Sequence, residues 1–251
     1  MLGFEGILLA FLRFISFNFS FPLFNQRSIP WQLRIGFSAL LAIAVAPTTT
    51  HTLEPFWFLL VLAVQEIGIG LLLAFVVTLL FGIIYFAGQL IDVPMGFGMV
   101  SIFDPQSGMQ IPVFSQFYHL LGMLIFLAVD GHLWLFHALA ESLDYIPINT
   151  FFSLELTMET LMSLSKNIFV IGFQIALPII GTIFLTDMAL GIVTKAVPQI
   201  NVFVIGFPIK IMVGMLILTL VIPTYVHIAS GLFALDGLLF QYIYQLLIGV
   251  N

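Results

Sequence analysis

The sequence predicts an all-α membrane protein, and three observations carry that prediction. Hydrophobic residues make up 61% of the 251 positions, and the mean hydropathy is +1.20. Charged residues make up 7%, where a soluble domain has roughly 25%, so the coat that keeps a soluble globule in water is missing. The charges are also segregated. Residues 35–53, 67–91, 105–129, 167–186 and 211–235 contain no Asp, Glu, Lys or Arg, and a helix of about 20 apolar residues crosses a bilayer. Backbone in hydrocarbon must satisfy its own hydrogen bonds, which such runs do as helices. About six long hydrophobic helices are expected, paired in helical hairpins.

The elements follow in order. The first apolar segment, Phe4 to Phe24, is interrupted by Arg13. It lacks a basic leading region and a small-residue cleavage site, so it reads as a retained span and not as a signal peptide. A polar turn with Arg27, Pro30 and Arg34 leads to a short second segment, 35–46, which stops at Pro47. Pro55 opens a stretch to Ile91 that would reach ~55 Å as a helix, well beyond a ~30 Å hydrocarbon core. That stretch projects, kinks at its glycines, or is not surrounded by ordinary lipid.

Residues 92–112 are irregular, with three prolines and three glycines in 21 positions, which forbids a regular helix. Yet the segment is apolar, carrying Met95, Phe97, Met99, Ile102, Phe103 and Met109. Apolar irregular backbone fits a membrane protein when it is packed in protein or lines a cavity. A fourth span runs from Val113 to about Leu139, with a polar interruption at Asp130-Gly131-His132. An acidic connector follows, with Glu141, Asp144, Glu155 and Glu159. Segments 168–193 and 205–222 form a hairpin around 195–203. The stretch 231–250 holds Asp236, Gln241 and Gln245 and reads as too polar for a span.

Several classes of chemistry are disfavoured. The net charge of −6 leaves no basic patch for nucleic acid. The absence of cysteine removes disulfides, thiol catalysis and thiolate metal sites. His132 and His137 are five apart, off the i, i+4 spacing of zinc helices, and no nucleophile-elbow, Walker or dinucleotide motif occurs, so no cofactor is expected. Charges inside spans are costly and functional by default. Arg13, Glu66, Asp130 and Asp187, with Asp92 at a helix end, read as groups that pair with packed polar neighbours, in this chain or in others, and fix assembly geometry. Gly68, Gly70, Gly82 and Gly88, and later Gly181 and Gly191, read as close helix packing. Arg27, Arg34, Lys195 and Lys210 flank the first and fifth inter-helix loops, and the positive-inside rule then places Arg27 and Lys195 on the cytoplasmic side with both termini outside.

The pattern resembles the FliR/SctT family, membrane subunits of the flagellar and virulence type III export gate. The resemblance rests on an N-terminal element (Arg13, Pro22-Leu-Phe24, Arg27-Ser-Ile-Pro30, Arg34, Pro47). A central element follows (Glu66, Gly70, Ala87-Gly-Gln-Leu-Ile-Asp92, Gly96-Phe-Gly-Met99, Asp104-Pro105, Gly131-His132). The third is C-terminal (Ala176-Leu-Pro178, Gly191, Pro198-Gln-Ile-Asn-Val-Phe203, Gly206-Phe-Pro208, Lys210, Gly214). Lys195 departs from the arginine more usual there, which removes bidentate pairing. The wording of the motifs favours the flagellar branch.

The resemblance implies a subunit of a protein-export channel in the bacterial inner membrane at the flagellar basal body. Residues 1–165 look like a FliP-type part, and 166–251 like a FliQ-type hairpin plus a C-terminal helix. FliP-like, FliQ-like and FlhB-like subunits are the implied partners and unfolded proteins the implied substrates. The 92–112 loop is implied to be the plug. Its seal would be Met95, Phe97, Met99, Ile102, Phe103 and Met109, with Gly96, Gly98 and Gly108 as hinges and Asp104-Pro105 as anchor. Arg13, Glu66, Asp92, Asp130, His132, Asp187, Lys195 and Lys210 would be intersubunit or buried polar groups. A small-molecule permease is the alternative, and would need a solvated polar site. A membrane enzyme is third, and lacks a catalytic constellation.

Overall fold

The computed structural model describes residues 4–24, 29–45, 56–97, 112–148, 154–199 and 201–248. These residues form eight α-helices: α1 (Phe4–Ser20), α2 (Trp31–Val45), α3 (Phe56–Asp92), α4 (Val113–Ala128), α5 (Gly131–Tyr145), α6 (Leu154–Ala196), α7 (Val202–Phe233) and α8 (Leu238–Ile248). The chain is an all-α membrane protein. Among the described residues three stretches are long and apolar enough to cross a bilayer, Trp57–Asp92, Thr157–Ala196 and Val204–Ile248, and α4 with α5 makes a fourth if that bent pair counts as one span.

The helix ends follow local chemistry. Asp130 takes the left-handed conformation, φ 57° and ψ 21°, and the expected fourth span breaks there into α4 and α5. The Asp130 carbonyl accepts the Leu133 and Trp134 amides that start α5. The acidic connector is shorter than its composition suggests, because α5 continues through Tyr145 and α6 begins at Leu154. Thr157, Thr160 and Leu164 are buried while Met158, Glu159 and Met162 are exposed. The first turns of α6 are thus an amphipathic helix whose inner face includes two threonines. The polar stretch near the C-terminus is also amphipathic. Leu239, Phe240, Ile243, Leu246 and Leu247 of α8 are buried, and Gln241 and Gln245 are exposed.

The chain divides into two compact units, each built from separated segments. Unit 1 lies within residues 1–80, 127–165 and 232–251. Here α1 packs on α2 and α5 on α8. The α2 face toward the core carries Arg34, Ser38 and Ala42, four residues apart. The Asn18 side-chain amide donates to Ser38 Oγ at 2.8 Å, and Ser38 Oγ donates to the Arg34 carbonyl at 2.7 Å. Phe21, Phe24, Phe37 and Phe136 cluster nearby, the last two edge to face at 4.9 Å between centroids.

Unit 2 lies within residues 81–126 and 166–231. Its core takes Ile83, Ile84 and Ala87 from α3, Tyr118 from α4, Ile175, Ile179 and Ile183 from α6 and Tyr225 from α7, all nearly inaccessible. The Tyr118 and Tyr225 rings stack at 4.5 Å, and the Tyr225 hydroxyl donates to the Tyr118 carbonyl at 2.6 Å. A Cβ on Gly122, one turn on, would press against Ile84 and the Tyr225 hydroxyl. The far ends of α6 and α7 are different in kind. Leu185, Ile192 (70%), Met212 (72%) and Leu216 are exposed apolar groups, and α6 as a whole would extend ~64 Å.

Candidate functional site

Two polar constellations stand out in this apolar chain, one in each unit. The first is centred on Arg13, whose side chain is fully buried in unit 1. Arg13 Nε meets Glu66 Oε2 at 2.5 Å and Nη2 meets Oε1 at 3.0 Å, a bidentate pair between α1 and α3. The remaining donors turn to the end of α5. Nη1 donates to the Ser142 carbonyl at 2.6 Å and to Ser142 Oγ at 3.1 Å, and Nη2 donates to the Ile146 carbonyl at 2.8 Å. All five guanidinium hydrogens therefore have acceptors. A cation at the C-terminal end of α5 also meets the negative end of its dipole. Close approach makes the geometry possible: a Cβ on Gly70 would overlap the Arg13 carbonyl and Ser16 Oγ.

The second constellation lies in unit 2, at the base of the irregular apolar segment. Asp92, 7% exposed, ends α3 and reaches the start of α4. Its Oδ1 accepts the Phe114 amide at 2.8 Å, and its Oδ2 accepts the Ser115 amide at 3.1 Å and the Ser115 hydroxyl at 2.6 Å. Gly88, one turn earlier, lies so near α4 that a Cβ would overlap the Ser115 backbone. After Asp92 the chain turns, with the Met95 amide bonded to the Ile91 carbonyl and the Gly96 amide to the Val93 carbonyl. Met95 is fully buried in a notch that α7 leaves at Gly214, with Ile183 of α6 nearby. Gly96 has φ +91° and faces the Phe207 ring, so both backbone and space call for glycine. The Phe97 ring meets Phe114 at 5.6 Å and Phe207 at 6.3 Å, both edge to face.

The other residues singled out in the sequence fall as follows. Asp187 of α6 pairs with Lys210 of α7 at 2.6 Å, half exposed among apolar neighbours. Lys195 is exposed in the last turn of α6. The Asp130 side chain is exposed and makes no cap bond. His132 is partly buried, and its Nδ1 has no hydrogen-bond partner among the described residues. Gly98, Met99, Ile102, Phe103, Asp104, Pro105, Gly108, Met109 and Arg27 lie outside the described residues. Ser115 and Ser142 escape sequence reading. Serines in apolar helices carry no signal until their partners are placed.

Two open grooves in unit 1 have apolar character. One of about 580 Å³ is lined by Phe19, Leu71, Leu72, Phe75 and Leu161 with Ser20 and Thr78. The other is lined by Ile7, Leu8, Phe11, Ala39, Ala42 and Ile43. Neither contains a charged side chain. Among the described residues no three His, Asp or Glu side chains gather as a metal site.

Fold and polar framework together define a helical membrane protein in which the deeply buried Arg13 and Glu66 pair with each other. It belongs to the bacterial export proteins, family 1, whose model matches residues 4–235. Relatives extend over nearly the full length. The flagellar biosynthetic protein FliR of Bacillus subtilis (strain 168) is 33% identical over 92% of this chain and 92% of its own length. That of Pectobacterium carotovorum subsp. carotovorum is 34% identical over 89% and 87%, and that of Escherichia coli (strain K12) is 31% identical over 89% and 86%.

Proposed function

We infer that the chain is a subunit of the flagellar type III protein-export gate in the bacterial inner membrane. There it forms part of the path that unfolded export substrates take across the bilayer. The observation that carries this reading is the end-to-end match to flagellar FliR proteins, over about nine-tenths of both lengths. The all-helical apolar fold agrees with it. The role is transport and not catalysis.

Its partners in this proposal are FliP-like and FliQ-like membrane subunits, with an FlhB-like subunit. The uncovered apolar surface of α6 and α7, with Leu185, Ile192, Met212 and Leu216 exposed, supports them. Residues 1–165 act as the FliP-like part and 166–251 as the FliQ-like hairpin with the C-terminal helix. Arg27 and Lys195 face the cytoplasm. The segment 92–112 closes the channel between substrates. An apolar surface excludes water and ions, and methionines re-pack around varied side chains.

Two measurements test this. Mild-detergent copurification with mass spectrometry should recover the three partner types, and a well-behaved isolated chain that transports solute would sink the proposal. Replacing residues 97–109 with a hydrophilic linker should leave assembly intact and raise ion conductance in planar bilayers carrying the whole gate. A replaced gate as tight as wild type would remove the plug role.

A further inference from the structure

Asp92 caps a helix to which it is not directly joined. Its two oxygens take the first free amides of α4 and a serine hydroxyl, at 2.6–3.1 Å, where the helix dipole already favours an anion. Bonds to an ionised acceptor are the stronger kind. In a site this enclosed, breaking them strands a carboxylate and two amides without water to replace them. The contact of Gly88 with the Ser115 backbone holds α3 and α4 together on the helix side of this cap. On the other side, Phe97 rests on Phe114. Residue 92, where the apolar segment begins, and residue 114, just after it ends, are therefore tied by one side chain, whatever the intervening residues do.

We propose that Asp92 is a positioning residue for export: a clasp that stays shut throughout the transport cycle and holds both ends of the apolar segment in one frame. This rests on the reading of 92–112 as the closing segment. The clasp is an anchor and not a hinge.

The test uses the assembled gate. Because the chain has no cysteine, D92C/S115C supplies a single switchable crosslink. Reduced, the pair lacks the carboxylate cap, and a severalfold rise in ion conductance is expected. Oxidised, the ends are joined covalently, and conductance should return to the wild-type level while secretion of flagellar substrates proceeds. Oxidation that restores tightness but stops secretion would show that the clasp must open, and would overturn the proposal. A reduced pair as tight as wild type, beside a leaking 97–109 replacement, would also overturn it while leaving the plug reading in place. A tight 97–109 replacement removes the plug reading instead. Should the double variant fail to assemble, S115A, which deletes one of the three bonds, carries the test. It must leak measurably, and a tight S115A gate overturns the proposal.

Discussion

The guanidinium of Arg13 and the carboxylate of Glu66 face each other edge on, 2.5 and 3.0 Å apart, with neither reachable by solvent. Removing one partner of such a buried pair leaves an uncompensated charge and costs about 3–5 kcal/mol. Glu66→Ala and Arg13→Ala should each lower the thermal stability of the purified complex by that order. Arg13→Met combined with Glu66→Leu should be milder than the sum of the singles, since it removes both charges. Additive losses in a detergent thermal-shift assay would show that the two side chains act independently.

Four glycines on α3 separate into two kinds. Gly70 and Gly88 lie against backbone of α1 and α4, whereas a Cβ on Gly68 or Gly82 meets nothing within 4 Å. Gly70→Ala and Gly88→Ala should destabilise the chain strongly, because backbone cannot step aside as a flexible side chain does. Gly68→Ala and Gly82→Ala should be neutral, or stabilising by about 0.5–1 kcal/mol through helix propensity. Expression and thermal shift of the four alanine variants check this ordering.

The stacked tyrosines make unequal use of their hydroxyls. That of Tyr225 donates to the Tyr118 carbonyl, while that of Tyr118 is buried without a partner among the described residues. Tyr225→Phe should cost about 0.5–1.5 kcal/mol and Tyr118→Phe nothing, or a slight gain. Equal losses from both would assign the Tyr118 hydroxyl a partner in the assembled gate.

Asp130 is the non-glycine residue at positive φ among the described residues. If conformation is its task, Asp130→Gly and Asp130→Asn should preserve secretion, since both adopt this region readily. Asp130→Val should lose stability by about 1–2 kcal/mol, because a branched Cβ resists it. Loss of motility in Asp130→Asn would instead make the exposed carboxylate the functional group.

Much of the helical layout was legible because hydrocarbon demands it: the described residues of the charge-free runs are almost all helical, and the break at Asp130-Gly131 coincides with a polar interruption. The early start of α6 was not legible, since Thr157 and Thr160 score as polar yet occupy its buried face. Arg13, Glu66 and Asp92 could be picked out singly as costly charges. Their pairings could not, because they depend on helix register across separations such as the 53 positions between Arg13 and Glu66. Acceptors such as the Ser142 and Ile146 carbonyls leave no mark in a sequence, every residue having one. The glycine stripe was legible as packing, but only neighbours decide which members are pressed.

Unit 1 is gathered from three separated stretches of chain, and this imposes a timetable on biosynthesis. At about 5–20 residues per second, Arg13 emerges several seconds before Glu66, and the Ser142 and Ile146 carbonyls arrive later still. During that interval the Arg13 guanidinium lacks the carboxylate that pairs with it. The contact between α1 and α3 closes only once α3 has been made, and a pause in translation between them prolongs that wait.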